Sequence, residues 1–371
     1  MLFMQLSYFI SKVFFPENFN SMFYLFSAGY AARFFGIFAI SFFRHDQEKI
    51  LKASLLIVSV SSLIISIMPT YQSIGLVSTY VLITLRLLQS ISYAVEFPSA
   101  VCIASESSSK IGLVISSATV GSILANLSPW ILLLFFNSQQ ILDFYWRIPF
   151  MISGALGLIL FRSRSVNYEM IERVRKSMSQ FNFISHSKGI LNSINTLLFP
   201  GFLIIAYMCL PQFYTKYGYS DLYFIYKYKL IMLVFSIICV SIIGKLMDSN
   251  KNKIFNESGI LHVHRYFVIL WTAIASLSLM CKFGAILLMA FMQFCIAFSF
   301  QYGLKNMRSQ CRGSIFASII AYNTSMFIGS FASSFISFAY MIIIPLSLGS
   351  LFAFQINKNF KNTDLKTNQQ D

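Results

Sequence analysis

The stretch SRSVNYEMIERVRKSMSQFNFISHSKG, residues 163–189, decides how the rest of the chain is read. It gathers Arg164, Glu169, Glu172, Arg173, Arg175, Lys176 and Lys188 within a sequence of 371 residues that is 57% hydrophobic and only 11% charged. Soluble domains carry about a quarter charged residues, and a membrane helix needs about 20 apolar ones. Working outward, apolar windows precede the stretch at about 1–15, 21–43, 53–69, 76–104, 111–136 and 147–162. Others follow it at about 190–214, 224–247, 264–281, 284–304, 313–335 and 338–356. The pattern predicts an all-α membrane protein of about 12 transmembrane helices. Residues 1–162 form an N-terminal six-helix bundle, 163–189 a cytoplasmic linker, 190–356 a C-terminal six-helix bundle and 357–371 a cytoplasmic tail. The first window, about 15 residues, is short for a hydrocarbon layer of about 30 Å, so the first helix is expected to be truncated.

The formal net charge of +15 is explained by where the charges fall. Twenty of the 28 Lys and Arg lie in loops, or at their edges, on the linker's side. The opposite side receives Arg147, Lys216, Lys227, Lys229 and Lys282, and Lys12, Arg33 and Arg86 stay within spans. Cytoplasmic loops collect Lys and Arg, so the linker and both termini are expected in the cytoplasm of a plasma membrane, the inner membrane of a bacterium. This also makes nucleic acid an unnecessary partner. No cleavable signal peptide is expected, because the first apolar stretch runs into Lys12, Pro16 and Glu17 without a small-residue cleavage site. The six cysteines form no CxxC pair, and His262 and His264 read as solvated loop residues; neither a metal nor a cofactor is expected.

Charge within a bilayer is costly and marks function by default. At about 100° per residue, Arg86, Gln89, Tyr93 and Glu96 share a face roughly 80° wide on a continuous fourth helix, and such a polar stripe should face a cavity. The bland alternative is that these groups only join helices. Arg86 and Glu96 are about 15 Å apart along that helix and cannot pair, whereas Arg33 and Glu96 match in depth. The spans contain no His, and Glu96 is their one clear acid, so an intramembrane hydrolase is not indicated. A channel filter signature is also missing, and a carrier leads.

The halves echo each other about 200 residues apart. Ser41, Arg44, His45, Asp46, Lys49 and Lys52 follow the second span, and Gly244, Asp248, Lys251 and Lys253 follow the eighth. Two parallel repeats are a transporter architecture.

Several motifs resemble one family. They are Phe14-Phe15-Pro16-Glu17-Asn18, then Gly29 to Gly36 around Arg33, then Pro69-Thr70-Tyr71 with Ile74-Gly75, and Arg86 to Ser90. Trp146-Arg147-Ile148-Pro149-Phe150 and Leu210-Pro211-Gln212-Phe213-Tyr214 follow, with Glu96 and Glu106 between. In this order the chain resembles the major facilitator superfamily, and within it the metabolite:proton symporters of proline and betaine, oxoglutarate, shikimate or citrate. It departs from their pattern at Phe34, Ser90, Ala94 and Val95, in the first cytoplasmic loop, and in a longer first helix whose acidic segment is not in this sequence.

The resemblance implies a major facilitator fold of two six-helix halves. It also implies proton-coupled uptake, by alternating access, of a small organic acid, amino acid or betaine-like solute. Arg33, Arg86, Gln89, Tyr93 and Glu96 would form the substrate and proton pathway. Asp46, Lys49, Gly244, Asp248, Lys251 and Lys253 would form the conformational-switch loops. The expected partners are the solute, protons and the lipid bilayer, for a monomer that is not an enzyme. A degenerate carrier that has lost coupling or transport is the other reading.

Overall fold

Helices account for every regular element among the residues described by the computed structural model, which are 2–16, 21–42, 47–94, 96–104, 108–163, 172–173, 176–177, 179–208, 210–216, 221–248, 282–311 and 314–333. The expected ninth and twelfth spans and the tail lie outside them. The first half begins with α1 (Leu2–Gln5) and α2 (Ser7–Phe14), nearly continuous through Leu6, followed by α3 (Ser21–Phe42) and α4 (Gln47–Ile67). Next come α5 (Tyr71–Ile74), α6 (Leu76–Ser92), α7 (Glu96–Ala104) and α8 (Ser108–Phe135). The short α9 (Ser138–Gln140) and a π-helical turn (Ile141–Tyr145) lead into α10 (Arg147–Ser163), with a bend of 46° between them. The second half holds α11 (Phe183–Met208), α12 (Leu210–Lys216), α13 (Leu222–Asp248), α14 (Lys282–Gln310) and α15 (Ile315–Ser333).

Ten of the twelve expected spans therefore coincide with described helices, in order. Four of them, α8, α11, α13 and the Gly284–Met307 part of α14, are individually long and apolar enough to cross a membrane. Helix α11 starts at Phe183, inside the stretch read as linker, because its first two turns are polar and carry no hydropathy signal.

The fourth span is not one continuous helix. Pro98 lacks a backbone N–H, and its ring opposes the carbonyl of the residue four earlier, which is Ala94. Helix α6 accordingly ends at Ser92, Tyr93 caps it at φ −88° and ψ 1°, and α7 restarts at Glu96. The last turn tightens, with Tyr93 N bonded to Ser90 O and Ala94 N to Ile91 O. This corrects the expectation of a single polar face through Glu96, since the angular count holds only as far as the break. Gly36 of α3 makes the bend possible from outside, because a Cβ there would collide with the Ile91 carbonyl oxygen.

Packing follows burial. Helix pairs α4 with α10, and α11 with α15 and α14, build each half; α3 against α15 and α8 against α13 join the halves. The outer faces remain apolar, as in Ile57, Val60 and Ile64 of α4 and Ile152, Leu156 and Ile159 of α10. By contrast α1 and α2 are buried on all sides except at Lys12. The Trp146–Phe150 signature has a structural use here. The Trp146 ring is fully buried edge-on to Phe14 at 5.3 Å, and Arg147 Nη1 donates to the Ser66 and Met68 carbonyls at 3.0 and 2.7 Å, closing the end of α4.

Candidate functional site

Between the halves lies a cavity of about 450 Å³. Helices α3, α6 and α7 supply Tyr30, Arg33, Arg86, Tyr93 and Phe97 on one side, and the second half supplies Tyr207, Leu233, Gln293, Ile296 and Tyr322 among others. Arg33 and Arg86, read from sequence as intramembrane charges, thus share one chamber. They lie near enough to repel each other. The Arg33 guanidinium stacks over the Tyr30 ring at 4.2 Å and meets the Tyr322 phenol of the second half. The Arg86 guanidinium sits over the Phe3 ring at 4.8 Å, and its Nη1 reaches Gln89 Oε1 at 3.4 Å. Arg86 is buried, and the Nε of both arginines is buried with no hydrogen-bond partner among the described residues. No Asp or Glu lines the cavity among those residues.

Tyr93 lines the cavity with the arginines. Gln89 does not; it lies behind Arg86 and donates to Ser62 Oγ of α4 at 3.2 Å. Glu96 is the first residue of α7, and its side chain lies outside the described residues, so its expected pairing with Arg33 does too. Asp46, Lys251 and Lys253 also lie outside, as do the side chains of Lys49 and Asp248. Gly244 is at the crossing of α8, α13 and α14. A Cβ there would stand 2.6 Å from Gln301 Nε2 and 3.1 Å from the Ser108 carbonyl oxygen.

The halves meet on both sides of the cavity. On the linker's side Gln301 Nε2 donates to Ser108 O at 2.8 Å, and Asn323 Nδ2 donates to Ala94 O at 2.9 Å, taking the carbonyl freed at the helix break. On the far side Tyr226 Oη donates to Gln5 O at 3.0 Å, Asn126 Nδ2 to Tyr226 O at 3.1 Å, and Ser27 approaches Ser330 at 3.3 Å. Hydrogen bonds thus join the halves toward both ends of the bundle, and a rocking motion of one half against the other must exchange them.

The main correction concerns Lys229, counted among the charges on the side opposite the linker although it falls near one end of the eighth span. It is fully buried in α13, where Nζ donates to Met208 O at 2.9 Å; Tyr207 Oη in turn donates to Lys229 O at 2.9 Å, with Gln293 also bonding that phenol. The signal was available. Ile225, Tyr226, Lys229, Leu233, Val240 and Ile243 recur at helical spacing on one buried stripe, which places Lys229 inward.

A fold of paired half-bundles around a mid-chain cavity accords with the comparisons. The family model described as Major Facilitator Superfamily matches residues 1–334. The chain belongs to the Major Facilitator Superfamily. Among superfamily structures, a D-xylose–proton symporter superposes with a TM-score of 0.68 at 15% identity, covering 96% of this chain and 92% of that one. The partially occluded, inward-open XylE xylose transporter from Escherichia coli gives 0.67 at 14% identity, over 96% and 92%. At such identities the likeness is one of fold. In sequence, a candidate transporter named YdfJ from Escherichia coli (strain K12) is 29% identical over 155 residues, 38% of this chain and 36% of that protein. A candidate proline/betaine transporter from Staphylococcus aureus (strain COL) is 30% identical over 128 residues, 33% of this chain and 28% of that protein. The matched stretches thus span about a third of each relative. As a superfamily member the chain is an integral membrane protein with a transporter's fold, and the cavity is where such a fold handles its solute.

Proposed function

We propose that this chain is a secondary active transporter that carries a small organic acid, amino acid or betaine-like solute, holding the solute's carboxylate between Arg33 and Arg86. The observation that supports this most is the pair of mutually repelling guanidinium groups that line one chamber without a described acid, each with a buried Nε that has no hydrogen-bond partner among the described residues. Two like charges in a low-dielectric space are costly, and a carboxylate offsets that cost through charge-assisted hydrogen bonds. A carboxylate that takes Arg33 also competes with Tyr322. It thereby loosens a contact between α3 and α15 and favours alternation between the two entrances.

Glu96 is the proposed proton carrier. Its affinity for a proton rises with burial and falls beside a cation, so a helix movement relative to Arg33 can drive release and uptake. The loops around Asp46, Lys49, Asp248, Lys251 and Lys253 are the proposed switch, and the close crossing at Gly244 supports that role. The transporter works as a monomer in the plasma or bacterial inner membrane, with both termini cytoplasmic, an orientation supported by the Lys and Arg bias. Uptake of labelled proline, betaine, oxoglutarate and citrate into proteoliposomes under an imposed pH gradient tests the reading. No uptake of any of them favours a degenerate carrier. A tag at residue 175 that is labelled from outside intact cells overturns the orientation.

A further inference from the structure

Hydroxyl groups in the cavity wall look at first like a lining for a polyol, but the hydrogen bonds show otherwise. Ser117 Oγ donates to Val114 O at 2.8 Å, Thr119 Oγ1 to Ile115 O at 2.9 Å and Ser122 Oγ to Ala118 O at 3.2 Å. Each of these three hydroxyls donates to its own helix backbone and leaves only acceptor lone pairs for a solute. In the second half, the Tyr207 phenol donates to the Lys229 carbonyl and is also bonded by Gln293, and the Tyr322 phenol is engaged by Arg33. Ser236 is a further small hydroxyl of the lining. Donor capacity is therefore concentrated at the two guanidinium groups, where Tyr30 and Tyr93 also gather.

The remaining wall has a different chemistry. Ile204, Met208, Leu233, Ile296, Phe300 and Met326 face the chamber from the second half, which adds no charged side chain to the lining. The chamber is thus polarised, with a cationic end on α3 and α6 opposite a largely apolar wall on α11, α13, α14 and α15, where Gln293 and Ser236 are the polar side chains besides Tyr207 and Tyr322. Its volume, about 450 Å³, lies within the range of about 300–1,000 Å³ typical of small-ligand sites.

Resting on the reading of Arg33 and Arg86 as a carboxylate site, we propose that the preferred solute is an amphipathic monocarboxylate, one carboxylate on an apolar aliphatic or aromatic body, and not a hydroxylated or doubly charged acid. A hydroxyl or second carboxylate on the body would give up water against methyl, thioether and phenyl groups that cannot replace its hydrogen bonds. A methylene placed there gains burial instead.

The test is calorimetric titration of the full chain in lipid nanodiscs with propionate, butyrate, pentanoate, hexanoate, phenylacetate, oxoglutarate, betaine and xylose, with empty nanodiscs subtracted. Affinity is expected to rise about fourfold per methylene from propionate to hexanoate. Phenylacetate should bind at least about tenfold more tightly than oxoglutarate. Ile296→Asn should flatten the rise in affinity from propionate to hexanoate, and its thermal midpoint in the same nanodiscs checks that it folds. If oxoglutarate or betaine binds more tightly than hexanoate and phenylacetate, the apolar-body assignment is overturned while the carboxylate site stands. If xylose binds and no carboxylate does, or if nothing binds, the carboxylate site fails as well.

Discussion

Asn323, on the second half, donates its side-chain amide to the backbone carbonyl of Ala94 on the first, at 2.9 Å, and so occupies the acceptor that the Pro98 break leaves open. The same amide donates to Ile319 O at 2.9 Å, which fixes its direction. A helix interruption in one half has become a binding point for the other.

Asn323→Ala should therefore weaken the linker-side contact between the halves. Interhelical hydrogen bonds in membranes contribute about 0.6–1.7 kcal/mol, and a loss near the upper end is expected because a buried carbonyl is left without its partner. Denaturation of the purified variant measures this. In a background without native cysteines, a cysteine at Ala100 in the cavity should also become more accessible from the linker side. Unchanged labelling and stability together would show that the bond does not hold the halves.

Arg86→Lys keeps the charge but loses the planar stacking over Phe3 and the fixed fork of donors. Transport should fall by about tenfold or more in kcat/KM at normal membrane insertion. Equal kinetics would identify Arg86 as a packing element rather than part of the solute site.

Glu96→Gln removes the proposed proton carrier without removing its shape. Acceleration of uptake by an inward proton gradient should disappear, while equilibrium exchange of solute is partly retained. Continued proton-driven accumulation by this variant would place coupling on another residue.

Lys229→Met keeps most of the buried stem but leaves the Met208 carbonyl without its ammonium donor. A loss of about 1–3 kcal/mol is expected from an unsatisfied buried acceptor, read as a lower denaturation midpoint. Because the Lys229 ammonium also sits over the ring of the cavity residue Tyr207, at 5.6 Å, solute affinity should fall as well. A variant as stable as the parent would show that the bond is replaceable.

The architecture was legible because long apolar runs interrupted by charge have few physical solutions in a bilayer. Arg33 and Arg86 were legible for the same reason, since a guanidinium within such a run needs a polar chamber. What failed was the extension of helical geometry past Tyr93 and Ala94: angular counting assumes an unbroken helix, and Pro98 already signalled otherwise. Gln89 sits on the expected side of its helix, yet Ser62 on a neighbouring helix claims its amide, a relation that sequence spacing cannot contain. Lys229 was misassigned because the charge count took a Lys near the end of a span as lying at the membrane surface, whereas the stripe of buried neighbours is what locates it.

Helices α1 and α2 have almost no surface left over for lipid, and this bears on how the protein is made. Gln5 accepts its bond from Tyr226, 221 residues later in the chain. At translation rates of about 5–20 residues per second, roughly 10–45 s separate the emergence of the two partners. For that interval a segment carrying Gln5, Ser7 and Ser11, all buried in the finished protein, has none of the second half to pack against. Its first-half partners, Trp146 and Phe150 among them, are made sooner, so its burial is completed only when the second half arrives.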